Sequence, residues 1–266
     1  MKIQNTFKAN VIWGSLGFSL AIIAALLFDT QQTISYLAAA KAFIFSQFSW
    51  FYILLSAFFL FFLLFLALGR YGDIKLGSDE EEPEFKLSSW IALLFTSGIG
   101  IGIVFLGVAE PLSHFLSPIG EYEKVRTALF FSIFHWSISA WAIYGLIALT
   151  IAYFGFRYKL PFSLRSCFYP LLKEKINGKV GDIIDILGIC TTLFGVVATL
   201  GYSAIRLAAA FHSMHLLDNS PYLVPLILVS VFIIAILISL QGIANGFRII
   251  SELNLGVTFL FMLLVL

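Results

Sequence analysis

The sequence carries little charge for its length. Asp, Glu, Lys and Arg account for 12% of the 266 residues, and hydrophobic residues account for 60%, whereas soluble domains have about 25% and about 45–50%. The mean hydropathy is +0.98. Because a water-soluble fold of this size cannot cover so much apolar surface, a soluble globular protein is excluded and the lipid bilayer is the expected solvent. The net charge of +1 gives no overall field that would attract nucleic acid.

Cysteine and metal-ligand patterns are also scarce. Cys167 and Cys190 lack the spacing of a metal-binding or disulfide-linked module, so we interpret both as packing residues. The histidines His114, His212 and His215 form no two-histidine-plus-carboxylate pattern on one helix face, so no metal site is predicted. No nucleophile, paired carboxylates or metal ligands converge in the apolar runs, which argues against a membrane-embedded enzyme and predicts no catalytic residue.

Long apolar runs are what the sequence has in abundance. A spanning helix needs about 20 mostly apolar residues. Six complete runs fit this requirement, at residues 11–28, 50–68, 88–109, 127–154, 182–211 and 222–240. A seventh run begins at residue 253 and covers 253–266. Since the last run is still apolar at Leu266, we expect residues 1–266 to be one transmembrane domain cut from a longer protein. Residues 32–48 and 161–174 are predicted as short helices along the membrane surface.

The basic residues sort by alternate connections between these runs. Three lie on one side, at Lys41, Lys124 and Arg126, and Arg206 lies inside a run. The other twelve lie on the opposite side: Lys2, Lys8, Arg70, Lys75, Lys86, Arg157, Lys159, Arg165, Lys173, Lys175, Lys179 and Arg248. By the positive-inside rule, the N-terminus is cytoplasmic, in a multi-pass protein of the cell (inner) membrane.

Residues 98–114 read GIGIGIVFLGVAEPLSH and concentrate glycine in the third run. Each glycine inside a helix costs about 1 kcal/mol relative to alanine, so this concentration needs a compensating reason. One explanation is close helix packing on small residues. The other is a locally unwound helix whose carbonyl and amide groups face a substrate or ion, as in secondary transporters. A dinucleotide-binding fingerprint is rejected because these glycines lie inside an apolar span.

Trp136, Trp141 and Tyr144 lie in the fourth run and share one broad face of a regular helix. Their depth in the run argues against an interfacial aromatic belt. A quaternary ammonium has no N–H to donate, so it binds the faces of aromatic rings, with about 2 kcal/mol or more per desolvated contact. The pattern is explained either by plain helix packing or by an aromatic cage for such a cation.

These blocks resemble a known family. GIGIGIVFLGVAEPLSH resembles the signature of the betaine/carnitine/choline transporter (BCCT) family, and three further blocks agree in order and spacing: FHWSISAWAIY at 134–144, TLFGVVATLG at 192–201 and GFRIISELN at 246–254. The resemblance implies an all-α polytopic membrane protein, the first half of a leucine-transporter-type inverted-repeat fold preceded by two peripheral spans. It also implies a homotrimer and secondary active import of a quaternary-ammonium solute by alternating access.

The resemblance assigns the substrate site to Trp136, Trp141 and Tyr144 beside the glycine segment at Gly98, Gly100 and Gly102. Members that handle cationic substrates often carry Asp at the position of Gly102. The absence of a carboxylate there favours a zwitterion, so glycine betaine is expected over choline or carnitine.

The resemblance also implies sodium as the coupling ion, and no other cofactor. One sodium site would use the carbonyls of Thr96 and Ile99, and another would use Thr192 with the residue at 196, where Val196 has no side-chain oxygen. Proton coupling, exchange transport, and a channel or other non-transporting assembly subunit are the alternatives.

Four ionisable residues inside the runs have no role in that site. We expect a neutral His135 to bond a neighbouring helix, and Arg206 to snorkel or to pair, with Glu110 as a conceivable partner. Asp182 and Asp185 lie in the first turn of the fifth run, where a structural role at the helix dipole suffices.

Overall fold

A computed structural model describes residues 8–98, 101–117, 123–218, 220–240 and 243–265. Within these ranges the chain is helical and contains no strand. The α-helices are α1 (Ala9–Phe28), α2 (Thr30–Leu68), α3 (Leu87–Gly98), α4 (Ile101–Leu116), α5 (Lys124–His135), α6 (Ile138–Ala152), α7 (Leu164–Cys167), α8 (Tyr169–Leu172), α9 (Lys179–Ser213), α10 (Leu223–Leu240) and α11 (Ile243–Val265). A π-helix at Tyr153–Arg157 continues α6, and a 3-10 helix at Lys173–Asn177 follows α8.

Six helical stretches in the described residues are long and apolar enough to cross a membrane. They are Ala9–Phe28, Thr30–Leu68, Lys124–Arg157, Lys179–Ser213, Leu223–Leu240 and Gly246–Leu264. A shorter apolar helix covers Leu87–Thr96. The prediction of an all-α polytopic membrane protein is therefore confirmed.

Helix α2 is longer than the sequence analysis predicts. It runs for 39 residues, from Thr30 to Leu68, which corresponds to about 58 Å and about twice the hydrocarbon thickness of a bilayer. The separate surface helix predicted over 32–48 is wrong, because these residues are part of α2. No glycine or proline lies between the N-cap Asp29 and the C-cap Gly69 to interrupt the helix.

The connection before α9 also differs from its prediction. A single surface helix over 161–174 is wrong, because the segment forms the short pieces α7 and α8 and the start of the 3-10 helix. Lys173, at the start of the 3-10 helix, has a positive φ of 49°, a conformation that a regular helix does not allow. The segment therefore turns repeatedly rather than lying straight.

A cluster of charged side chains fastens this connection to α9. Arg165 is 4% exposed, and its Nε lies 2.5 Å from Oδ2 of Asp185 while a terminal nitrogen lies 3.0 Å from Oδ1 of Asp182. Lys8 donates to Oδ1 of Asp182 at 3.3 Å and to the carbonyl of Asn177 at 2.6 Å. A buried guanidinium is thus compensated by two carboxylates, which gives both aspartates the structural role expected of them.

The helices form two compact units. The first consists of the residues up to Glu81 together with Ile133–Phe194, and the second of Glu82–Ser132 and Gly195–Leu266. In the first unit α1 packs against α9. A Cβ on Gly14 would lie 2.5 Å from Cδ1 of Ile186, and the rings of Phe18 and Phe194 meet edge to face with centroids 6.3 Å apart. Small residues let these helices approach closely.

The second unit is organised by hydrogen bonds between α3 and α11. The hydroxyl of Ser89 donates to Oε1 of Glu252 at 2.6 Å, and the hydroxyl of Thr96 donates to the carbonyl of Ser251 at 3.3 Å. Nδ2 of Asn254 donates to the Thr96 hydroxyl at 3.3 Å. Ser89 and Thr96 of α3 are therefore satisfied by α11 rather than left in an apolar surrounding.

Candidate functional site

Trp141 and Tyr144 form a pair of aromatic rings on one face of α6. They lie three residues apart, which places them side by side on a helix, and their ring centroids are 5.9 Å apart with planes inclined at 42°. Trp141 is 38% exposed and Tyr144 is 70% exposed, so their ring faces are accessible. The midpoint of the apolar stretch Lys124–Arg157 falls beside Trp141, away from the ends where interfacial aromatic residues lie.

Trp136 lies outside α6, so the helical periodicity that predicted one shared face for all three rings does not apply to it. The expected periodicity applies only within a continuous helix, whereas Trp136 and Ser137 lie between the end of α5 and the start of α6. The carbonyl of Trp136 accepts a hydrogen bond from Nε1 of Trp141 at 3.2 Å. Its backbone therefore orients the Trp141 ring, while the role of the Trp136 side chain in substrate binding stays a prediction.

Two hydroxyls at this helix break escaped the sequence analysis. Ser137 has extended backbone angles (φ −79°, ψ 178°) before α6. Its hydroxyl donates to the carbonyl of Phe134 at 2.8 Å and lies 3.1 Å from the hydroxyl of Ser139. Serine favours positions immediately before helices, so the sequence did contain a signal. The break places hydroxyl and carbonyl groups near two aromatic rings in the middle of an apolar stretch.

The glycine segment is described only in part. Gly98 is the last residue of α3, and Gly102 lies in the first turn of α4. Ile99 and Gly100 lie outside the described residues. A Cβ on Gly107 would meet no atom of the described residues within 4 Å, so packing within the described part of the chain does not account for this glycine.

Pro111 adds a second irregularity to the same helix. It lies inside α4 and has no N–H, so the carbonyl of Gly107, four residues earlier, loses its usual helical donor. The helix is therefore locally weakened one turn before Pro111.

The predicted sodium ligands have different surroundings. Thr96 lies in the last turn of α3, whose final carbonyls have no intrahelical donor. The hydroxyl of Thr192 is exposed and donates to the carbonyl of Gly188 at 2.9 Å, which leaves its oxygen able to accept or to coordinate. Val196 is exposed and brings only methyl groups to its face of α9.

Arg206 lies between two aromatic rings of the second unit. Its guanidinium carbon is 3.5 Å from the ring centroid of Phe105 on α4 and 4.4 Å from that of Tyr202 on α9, and it donates to the Tyr202 hydroxyl. Glu110, the partner considered from the sequence, instead has its carboxylate 3.5 Å from Nε2 of His114. Of the alternatives left open by the sequence, a pair between Arg206 and Glu110 is not formed among the described residues.

The pattern of this chain matches a family of membrane transporters. The family model described as BCCT, betaine/carnitine/choline family transporter, matches residues 10–266. The chain belongs to the betaine/carnitine/choline transporter family. The family predicted from the glycine and aromatic blocks is therefore confirmed, as is the prediction of a transporter-family protein rather than an enzyme.

Curated transporters are similar to this chain over most or all of its length. An uncharacterized transporter of Haemophilus influenzae is 47% identical, over 100% of this chain and 40% of its own length. An osmo-dependent choline transporter of Acinetobacter baylyi is 39% identical, over 83% of this chain and 33% of its own. A glycine betaine transporter of Bacillus subtilis is 40% identical, over 89% and 48%. The chain thus spans less than half the length of each of these relatives.

Proposed function

We propose that the protein containing this chain is a secondary transporter that imports a quaternary-ammonium solute by alternating access. The observation that carries the proposal is the accessible ring pair of Trp141 and Tyr144, next to the helix break at Trp136 and Ser137. Aromatic faces attract a cation that has no N–H to donate, by about 0.5–1 kcal/mol when exposed and about 2 kcal/mol or more when desolvated. Interrupted helices near the middle of the bilayer are typical of substrate sites in secondary transporters.

Glycine betaine is the substrate that we favour, with choline or carnitine as the alternatives. Relatives named as glycine betaine and as choline transporters both match the chain, so similarity alone supports the class of solute. Gly102 brings no carboxylate to the start of α4. A site without a negative side chain favours a zwitterion over a net cation.

The test of the aromatic site uses the full-length protein in proteoliposomes and labelled glycine betaine. Trp141→Ala combined with Tyr144→Ala removes both rings, and we expect uptake to fall by about tenfold or more, since each desolvated ring contact contributes about 2 kcal/mol. Trp50→Ala is the matched control, because Trp50 on α2 is also an exposed tryptophan but has no predicted contact with substrate. Saturable uptake that survives loss of both rings would refute this site.

Sodium coupling is the second part of the proposal. Unwound carbonyls and hydroxyls are suitable ligands for a hard cation, and Thr96, Ile99 and Thr192 are the candidates. Thr192→Val removes the hydroxyl and keeps the shape, and we expect it to raise the sodium concentration needed for half-maximal uptake. Thr191→Val is its matched control, because Thr191 is also exposed and also donates to a carbonyl four residues earlier, at 2.8 Å. Uptake that ignores sodium and follows a proton gradient would contradict this coupling.

Membrane location and assembly complete the proposal. The bias of basic residues to one set of connections supports a cytoplasmic N-terminus in an inner (cell) membrane, and resemblance to the family supports a homotrimer. Protease accessibility of an N-terminal tag in inside-out vesicles tests the orientation.

A further inference from the structure

A cavity of about 710 Å³ lies between the C-terminal ends of α2 and α6. All of its lining residues belong to the first unit. A Cβ on Gly145 would lie 3.3 Å from Cδ1 of Leu63, so α2 and α6 pack closely at this level. The lining residues of α6 all follow Gly145 toward the C-terminal end of the helix. The volume is that of a site for a small molecule, for which about 300–1,000 Å³ is usual.

The lining of this cavity is mostly apolar. Its walls include two leucines from each helix: Leu63, Leu66, Leu146 and Leu149. Thr150 also lines the cavity, but its hydroxyl donates to the carbonyl of Leu146 at 2.6 Å. A polar solute that entered would give up hydrogen bonds to water for few replacements, whereas a hydrocarbon chain has none to lose. The lining therefore fits hydrocarbon.

The connection after α2 forms a further wall through Tyr71 and its neighbours, and hydrogen bonds hold it in place. Arg157, at the end of the π-helix, donates to the carbonyl of Gly77 at 2.9 Å and to Oδ1 of Asp79 at 2.7 Å. Nζ of Lys75 donates to the carbonyl of Asp79 at 2.7 Å. These bonds fasten the connection to the end of the α6 stretch, so the cavity is a defined part of this unit.

The cavity lies where two apolar stretches end, those of Thr30–Leu68 and Lys124–Arg157. A bilayer changes from acyl chains to headgroups at the ends of its spans, where tyrosine is enriched. The guanidinium carbon of Arg70 lies 5.3 Å from the ring centroid of Tyr71, and a terminal nitrogen donates to the Tyr71 hydroxyl at 3.4 Å. Since Tyr71 lines the cavity, the exposed Arg70 lies at its rim. A guanidinium edge matches the oxygens of a phosphate.

We propose that this cavity binds one phospholipid of the surrounding leaflet, with an acyl chain between α2 and α6 and the phosphate on Arg70. Basic residues beside a cavity between membrane helices are suited to lipid headgroups. The same connection carries Asp73 and Asp79, so recognition depends on the placement of Arg70 and not on an overall positive charge. The inference uses no residue proposed for the substrate or for the coupling ion.

The test uses purified full-length protein in detergent and a phosphatidylglycerol whose acyl chain carries a photoreactive diazirine. Mass spectrometry of the labelled peptides should place the label on the last turns of α2 and on residues 146–154. Ala67 lines the cavity, so Ala67→Phe should fill part of it and reduce labelling there by about tenfold. Arg70→Gln should reduce labelling by about fivefold, the effect of losing one basic residue beside a headgroup. A photoreactive diacylglycerol with the same chains has no phosphate, so it should label the unchanged protein and Arg70→Gln equally.

Ala40→Phe is the matched control, because Ala40 is an exposed residue of the same helix nearer its N-terminal end. We expect it to be labelled as the unchanged protein is. Arg70→Gln alters an exposed side chain and tests the proposal even when Ala67→Phe does not fold. Equal labelling of the cavity in the unchanged protein, Arg70→Gln and Ala67→Phe would indicate bulk lipid only and would overturn the inference. A cavity that takes no label is covered by another part of the protein, which also overturns it. Both results leave uptake of glycine betaine, and with it the proposed function, unaffected.

Discussion

Arg165 and Arg206 differ in the groups that surround their guanidinium charges. Arg165 is almost fully buried and meets Asp182 and Asp185 at 3.0 and 2.5 Å. Arg206 is half-buried between Phe105 and Tyr202 and has no carboxylate neighbour among the described residues. A cation that meets two carboxylates in a buried cluster is costly to remove, whereas contacts of a cation with aromatic rings are worth less.

The largest loss of stability is expected when Arg165 is replaced. In Arg165→Gln, two aspartates of one cluster lose their cation while remaining close to one another, and breaking a buried pair in this way costs about 3–5 kcal/mol. Chemical unfolding of the full-length protein in detergent measures the loss. Arg70→Gln is the control, because Arg70 is exposed and its side chain donates to Tyr71 at 3.4 Å. A loss below about 1 kcal/mol at Arg165 would show that the cluster is not a structural anchor.

The same substitution at Arg206 should cost much less stability. Arg206→Gln removes contacts with two rings, worth about 0.5–2 kcal/mol, and leaves no described carboxylate unpaired. The same unfolding measurement, made beside Arg165→Gln, gives the difference directly. Equal losses at the two positions would mean that Arg206 is as structural as Arg165, and the contrast between them would disappear.

The approximate location of the apolar helices follows from the sequence, whereas their full length and the break at Trp136 do not. Hydropathy alone locates the membrane stretches, because about 20 apolar residues have few alternatives to spanning a bilayer. The continuity of α2 through 32–48 reflects the absence of any glycine or proline there. The break at Trp136 has no glycine or proline either, so only the serines at 137 and 139 hint at it.

Partners distant in sequence explain the rest of what sequence analysis missed. Arg165 looks like a surface cation in a connection, but Asp185, twenty residues later, binds both its backbone N–H and its side chain. Arg206 and Phe105 are about a hundred residues apart. No local pattern selects such pairs, because the packing of helices decides which side chains meet.

Gly14 and Gly107 differ in how closely other side chains approach them. A Cβ on Gly14 would lie 2.5 Å from Ile186, whereas a Cβ on Gly107 would meet no described atom within 4 Å. Alanine improves helix propensity by about 1 kcal/mol at either site, but overpacking at Gly14 costs about 1–3 kcal/mol. We expect Gly14→Ala to lower the unfolding free energy or leave it unchanged, and Gly107→Ala to raise it slightly.

The glycine pair also tests the function of the α4 surface. Gly107→Ala should fold well yet reduce glycine betaine uptake if a solute passes along this face, because its methyl group occupies open space. Unfolding and uptake measured on the same preparation separate these effects. Destabilisation by Gly107→Ala would indicate that a helix packs there after all, and would favour the close-packing explanation of the glycine segment.

The smallest effect is expected at a solvent-exposed ion pair, in contrast to the buried cluster around Arg165. A terminal nitrogen of Arg157 lies 2.7 Å from Oδ1 of Asp79, and this hydrogen bond, with the charge of Arg157, lowers the pKa of Asp79. A lowered pKa means that the contribution to stability is present above the ordinary carboxyl pKa and is lost as the pH falls through the lowered value. Solvent and salt screen exposed charges, so the contribution is small.

Asp79→Asn should therefore lower the unfolding temperature only slightly at neutral pH. Its difference from the unchanged protein should vanish in acid, where Asp79 is protonated, and also in high salt, where the pair is screened. Thermal unfolding at neutral and acidic pH, with and without added salt, measures both dependences. A difference that persists in acid would show that Asp79 contributes to stability through something other than its charge. The contrast between this exposed ion pair and the buried cluster of Arg165 would then be weaker.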